Sequence, residues 1–368
     1  MYLLRRICSR LSEDFLLLAL LLALPPLYFV ADLSSGELPG LVDWHTIAAL
    51  AGLIVLSRGL EESGYLAQCG RWLLSRVRGE RTLALFLVGF SAALSAVVTN
   101  DVALFIVVPL TLGLRVVSEL PVGRLIVFEA LAVNAGSAIS PIGNPQNLFL
   151  WQASGVGFFE FVSVMAPLSL VLMLILVLAV PLAFSRKPIR VAGDFESPVL
   201  NKRLLWLSLL SYLPFLLLVE TGWGPYAALA VLVLYAGLYR RVVLGVDWLL
   251  LLIFVLMFVD LGLLASLPAF QLLGSHIEQW PGGMFTAGVL FSQLISNVPA
   301  AIFLEGLADD WQRLAWGVSV GGFGLAIGSL ANLIALRLAR QRGLWREFHW
   351  WSVPVLIVSC VAVACLLR

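Results

Sequence analysis

Two short polar stretches interrupt long apolar runs. Thr99-Asn100-Asp101 stands in the middle of the stretch 83–114, and Ser296-Asn297-Val298-Pro299 breaks the stretch 284–304. Their surroundings superpose as Ser95-x-x-x-Thr99-Asn100-x-x-Ala103 on Ser292-x-x-x-Ser296-Asn297-x-x-Ala300. The hydroxyls of Ser95, Thr99, Ser292 and Ser296 and the side-chain carbonyls of Asn100 and Asn297 are oxygen ligands, which suit a hard cation such as Na+. The two asparagine amides add donors for an anion. A second pair of breaks follows, at 142–148 and 327–333, with the shared pattern Ile-Gly-x-x-x-Asn-Leu. It brings Gly143, Asn144 and Asn147 in the first half and Gly328, Ser329 and Asn332 in the second, preceded at matching distances by Gly136 and Gly321. Half-helices that start at such breaks aim amides inward and favour an anion; those that end there aim carbonyls inward and favour Na+.

The elements that carry these groups are set by composition. The 368 residues are 61% hydrophobic and only 12% charged, with mean hydropathy +1.00, so the chain is read as an integral membrane protein. Its net charge of +1 says nothing about partners; lipid is the expected surrounding, and no nucleic acid is expected. His45, His276 and His349 are far apart, and Cys8, Cys69, Cys360 and Cys365 lack metal-ligand spacing. No cofactor is expected, and an intramembrane enzyme finds no support: no histidine is expected at membrane depth to partner a Ser or Asp, and no metal-ligand cluster is present in the sequence.

The expected fold is an all-α polytopic membrane protein with about nine full spans and two re-entrant hairpins. Spans are read at 14–32, 43–60, 124–153, 158–184, 203–220, 225–239, 246–267, 312–337 and 348–367. With the N-terminus cytoplasmic, the basic clusters Arg71/Arg76/Arg78/Arg81, Arg186/Lys187/Arg190/Lys202/Arg203, Arg240/Arg241 and Arg337/Arg340/Arg342/Arg346 all lie inside. That holds only if 82–117 and 283–308 each enter and leave on one side, the first opening to the cytoplasm and the second to the outside. Val42-Asp43-Trp44 then begins a span on the outer side and Val246-Asp247-Trp248 one on the inner side. The halves become inverted repeats, each with a hairpin and a broken transmembrane helix, the plan of a secondary transporter with a midplane site. The division is an N-terminal scaffold span in 1–40, a first repeat in 41–184, a linker in 185–202, scaffold spans in 203–245 and a second repeat in 246–368.

Irregular backbone at membrane depth is tolerated only inside protein or beside a wet cavity, so four breaks imply one shared polar site. Asp101, at the first tip, is a candidate for ion or proton handling. Asp260, inside its span, either is functional or pairs with Arg58; Glu129 and Glu305 are read as structural, nearer to segment ends. With no Lys or Arg expected at the tips, a small monoanion or a neutral oxyacid suits the site better than a bare multivalent anion.

These residues resemble a known family. The hairpin around Thr99-Asn100-Asp101 is similar to that of arsenite efflux permeases, and the Ser-Asn spacing to the sodium-site hairpins of divalent-anion/sodium symporters. With 142–147 and 327–332 the chain looks like a member of the ion transporter superfamily, nearest to a small bacterial inner-membrane branch of YbiR type that is citrate-transporter-like. The resemblance implies a homodimer in the bacterial inner membrane, with a static scaffold and an elevator-like transport domain. It implies one cation site at Ser95, Asn100 and Gly143 and another at Ser292, Asn297 and Gly328. Val298-Pro299 departs from the hydroxyl residue that the symporters carry after their second asparagine. The function expected is Na+- or H+-coupled transport of a small anion or oxyacid, with a sodium/proton antiporter lacking an organic substrate as the alternative.

Overall fold

The computed structural model describes residues 15–31, 36–65, 68, 77–114, 120–189, 199–268, 276–277, 279–339, 341 and 343–367. Among the residues named above, Cys8, Cys69, Arg71, Arg76, Arg190, Arg340 and Arg342 lie outside these.

The described residues form sixteen α-helices and no named strand. The first seven are α1 (Phe15–Val30), α2 (Trp44–Glu62), α3 (Glu80–Ser95), α4 (Asn100–Gly113), α5 (Val122–Ser137), α6 (Pro145–Ser154) and α7 (Phe158–Ala183). Then come α8 (Lys202–Glu220), α9 (Gly224–Leu238), α10 (Arg240–Gly245) and α11 (Trp248–Ser266). The last five are α12 (Gly283–Ile295), α13 (Asn297–Glu305), α14 (Trp311–Val320), α15 (Leu330–Ala339) and α16 (Leu344–Leu366). Four of them, α7, α8, α11 and α16, are long and apolar enough to cross a membrane. Their outward faces are hydrocarbon: Phe159, Leu182, Leu210 and Trp350 are all well over half exposed. Lipid, not water, suits such a surface. The protein is therefore an all-helical, polytopic membrane protein.

Local chemistry explains where several helices begin. Asp43 caps α2 by accepting from the amides of His45 and Thr46, and Asp247 caps α11 by accepting from that of Leu249. Each cap is followed by a tryptophan whose indole donates back to a carbonyl, Trp44 Nε1 to Pro39 O and Trp248 Nε1 to Val243 O, both at 3.0 Å. The segments read as the spans 124–153 and 312–337 come apart, the first into α5 and α6 and the second into α14 and α15, around their Gly-Asn and Gly-Ser breaks.

Packing crosses between the halves. α1 packs on α11 and α9 on α2; α3 packs on α5 and α12 on α14; α15 reaches α4 and α5, while α6 reaches α13 and α14. At the centre is α5, in which every residue but Arg124 is buried. Arg124 anchors its N-terminal end, donating to Glu347 of α16 at 2.9 Å and to the Ala183 carbonyl of α7 at 2.7 Å. The base of α3 is tied to the same end of α7, with Glu80 accepting from Ser185 Oγ at 2.6 Å and Arg81 donating to Phe184 O at 3.0 Å.

Candidate functional site

The first break is the turn 96–99 between α3 and α4, and it sits directly on the break between α5 and α6. The Asn100 amide donates to Gly143 O at 2.8 Å, and Ser140 Oγ donates to Ala96 O at 2.9 Å. Asn100 Oδ1 accepts from the Asp101 amide at 2.9 Å. Ser95 Oγ donates to Ala92 O and to Val133 O of α5, so its lone pairs remain while its proton joins the helices. This closeness needs glycine. A Cβ on Gly136 would lie 2.3 Å from Ala92 O, and one on Gly143 would lie 2.3 Å from Ser137 O. Asn144 caps α6 by accepting from the Asn147 amide at 2.8 Å and donates to Ser137 Oγ at 3.1 Å. Asn147 Nδ2 is shared among the carbonyls of Ser137, Ala138 and Ser140.

The second break is a single residue. Ser296, between α12 and α13, has φ 76° and ψ 155°, and among the described residues no other non-glycine has positive φ. That region is almost closed to side-chain-bearing residues and costs about 1–3 kcal/mol. Ser292 Oγ donates to Gly288 O within its own helix at 2.6 Å. Gln293 pins α12 to the loop after α14, donating to Gly321 O at 2.6 Å and accepting from the Leu325 amide at 2.8 Å. Ser352 and His349 of α16 accept from the amides of Gly324 and Ala326 in the same loop. Gly328 presses close to Gly321 O, 2.6 Å from where its Cβ would stand.

Asn134 ties the breaks of the two halves together. Asn134 of α5 donates to Asn332 Oδ1 at 2.8 Å and accepts from Ser329 Oγ at 2.9 Å, while Asn332 Nδ2 donates to Gly322 O at 2.8 Å. Asn297 borders the same place: its Nδ2 is 3.4 Å from the point a Gly322 Cβ would occupy. Thus Asn100 meets Gly143, Asn144 meets Asn147, and Ser329 meets Asn332. Asn134, Ser140, Gln293 and His349 were not among the expected site residues. For Asn134 the available signal was a polar residue two positions before Gly136, as Ser319 stands before Gly321.

Some oxygens are left over. Gln146 Oε1, Asn147 Oδ1, Ser296 Oγ and Ser319 Oγ are buried without a hydrogen-bond partner among the described residues. Thr99 Oγ1 lies beside the Asp101 carboxylate without closing a well-formed hydrogen bond to it. Groups of this kind can ligate a cation or accept from a substrate.

Two cavities lie beside α11. The larger, about 580 Å³, touches Asp101, Ser296 and Pro299 at the breaks and runs along α11 to Asp247 and Arg337. The smaller, about 420 Å³, is lined by Asp43, Phe149, Phe258 and Glu305. Leu261 of α11 lines both. Of the expected site residues, Asp101 and Ser296 line the larger cavity; Thr99, Asn100, Asn144, Asn147, Asn297, Ser329 and Asn332 are buried and do not line it.

Two expectations about acids are corrected. Arg58 does not pair with Asp260, because it is taken by Glu61 at 2.8 Å and Glu62 at 3.1 Å. Glu129 is not near a segment end but midway along α5, fully buried, where it accepts from Thr111 Oγ1 of α4.

The model of a family described as citrate transporter matches residues 7–321. The chain belongs to the citrate transporter family. It is 47% identical over 334 residues to the inner membrane protein YbiR of Escherichia coli, covering 90% of this chain and 89% of that protein. An uncharacterized transporter of Methanocaldococcus jannaschii is 33% identical over 302 residues, 81% of this chain and 82% of the relative. A putative transporter arsB of Dictyostelium discoideum is 26% identical over 128 residues, 35% of this chain and 23% of the relative. This member of the citrate transporter family is accordingly a multi-pass membrane transporter.

Proposed function

We propose that the chain is a Na+- or H+-coupled secondary transporter of a small anion or oxyacid in the bacterial inner membrane, working by alternating access of elevator type. The observation that carries this reading is Asn134, which ties the break of one half to the break of the other inside a buried cluster that still holds unpartnered oxygens. The halves are inverted repeats: α2 and α11 start with the same Asp-Trp device, and each packs on the first helix of the other half. In this reading α3/α4 and α12/α13 are the re-entrant hairpins, α5/α6 and α14/α15 are the broken helices, and the N-terminus is cytoplasmic. The substrate contacts are Thr99, Asn100, Asn144, Asn147, Ser296, Asn297, Ser329 and Asn332. The coupling ion lies at Ser95, Asn100, Asp101 and Gly143 and at Ser292, Asn297 and Gly328. In this reading the cavity lined by Asp101, Ser296, Asp247 and Arg337 opens to the cytoplasm, and the state is an inward-facing one.

The test is uptake of labelled citrate, succinate and arsenite into proteoliposomes under imposed Na+ or pH gradients. Saturable, gradient-dependent uptake of one of them, lost in Asn100→Ala and Asn297→Ala while both variants stay folded, is the expected result. A buried hydrogen-bonding group is worth about 1–3 kcal/mol, or roughly five- to 150-fold in affinity. Near-normal uptake by both variants contradicts the shared site.

A sodium/proton antiporter without an organic substrate is the second reading. It is favoured by the carboxylates on both cavities, Asp101 and Asp247 on one and Asp43 and Glu305 on the other. A Na+-driven change of internal pH with no organic solute present selects it.

A further inference from the structure

Asp260 stands apart from the clusters at the breaks. It lies well inside α11, is 2% exposed, and neither carboxylate oxygen has a hydrogen-bond partner among the described residues. A buried acid with both oxygens unsatisfied is a costly group in an apolar helix, and an apolar residue of similar size would pack there at less cost. Its position gives a reason for it. Met257 lines the larger cavity, Phe258 the smaller, and Leu261, next to Asp260 in the chain, lines both. α11 is the partition between the cavities.

The groups around this helix leave Asp260 alone. Against α11 pack α1, α2, α13 and the short turn Leu38–Leu41. On these the titratable side chains are Tyr28 of α1, His45, Arg58, Glu61 and Glu62 of α2, and Glu305 of α13. Glu37 and Asp43 flank the turn, and Asp247 caps α11 itself. Arg58 is held by Glu61 and Glu62. None of them bonds to Asp260, so no fixed ion pair compensates it. A lone carboxylate with no second oxygen ligand is a poor metal site; it can bind a single proton, becoming a neutral carboxylic acid, and release it again as a carboxylate.

We propose that Asp260 is a proton-binding site on the partition between the two cavities, distinct from Asp101, which loads a proton when one cavity reaches it and discharges it when the other does. The proposal rests on the transport reading above and adds the residue that carries the proton.

The test uses the full chain in proteoliposomes and dicyclohexylcarbodiimide, which modifies protonated carboxyl groups in apolar surroundings, with peptide mass spectrometry to locate the adduct. An adduct on Asp260 that falls severalfold from acidic to alkaline pH is expected. No adduct there at any pH, or one unchanged across the range, overturns the proposal. Asp260→Asn should keep substrate exchange and lose accumulation driven by a pH gradient; retained pH-driven accumulation also overturns it. Labelling is read on the unaltered chain, so it decides even if the variant does not fold. It is also separable from the transport reading, because loss of the shared site in Asn100→Ala leaves Asp260 labelling in place.

Discussion

Asn134→Ala removes the side chain that ties the breaks of the two halves together, and its effect can be worked from the contacts. The change deletes hydrogen bonds at 2.8 Å to Asn332 Oδ1 and 2.9 Å from Ser329 Oγ, and a longer one at 3.4 Å to Gly322 O, which keeps Asn332 Nδ2 as its donor, in a position only 5% exposed. Asn332 Oδ1 is left as a buried acceptor without its donor, which costs about 1–3 kcal/mol, whereas the Ser329 hydroxyl can turn its proton elsewhere and loses about 1 kcal/mol. The variant should therefore be less stable by about 2–4 kcal/mol, and Ser329→Ala by about 1 kcal/mol. Because the two share a hydrogen bond, the double variant should fall short of the sum by about 0.5–1.5 kcal/mol. Unfolding by SDS titration in mixed micelles, followed by tryptophan fluorescence, measures all three. Additivity within about 0.5 kcal/mol would refute the idea that Asn134 and Ser329 act as one bridge.

Ser296→Gly should relieve the positive φ and raise thermal stability in detergent, while Ser296→Ala, which keeps the strain and loses the hydroxyl, should not; equal melting temperatures would show that the break is not strained. Both should raise the KM for substrate, since both remove a buried, unpartnered hydroxyl from a residue that lines the larger cavity. Gly136→Ala would drive a Cβ to 2.3 Å from Ala92 O and should abolish folded yield or shift α3 off α5, and Gly321→Ala would meet Ser292 Cβ at 2.5 Å with a similar outcome. Gly237→Ala, which meets nothing within 4 Å, is the control and should behave as the parent in size-exclusion chromatography.

The helices were legible because the sequence marks their ends with strong signals. Asp43 and Asp247 before tryptophan, Asn144 before Pro145, and the Gly-rich breaks all act locally, and the helix limits fall within a few residues of the expected ones. Asn100 against Gly143 could be foreseen as a pairing of breaks. The contact through Asn134 could not: its place two positions before Gly136 marks the residue, but the sequence does not tell an asparagine that faces a distant loop from one that faces its own helix neighbours. Glu129 was misplaced for a related reason: measured against the whole interrupted span 124–153 it stands near an end, whereas α5 runs only from Val122 to Ser137 and puts it in the middle. Ser296 carries no sequence sign of positive φ, since that conformation is ordinarily left to glycine.

The central claim is that the halves are inverted and that α12/α13 enters and leaves on one side. Single cysteines at Arg78 and Asp309, in a chain whose four native cysteines are replaced, test it by reaction with a membrane-impermeant maleimide on intact cells and on inverted vesicles. With inverted halves, the cysteine at 309 reacts only on intact cells and the one at 78 only in inverted vesicles. Reaction of both from the same side would make the second hairpin a full crossing, and the inverted repeat would fall with it.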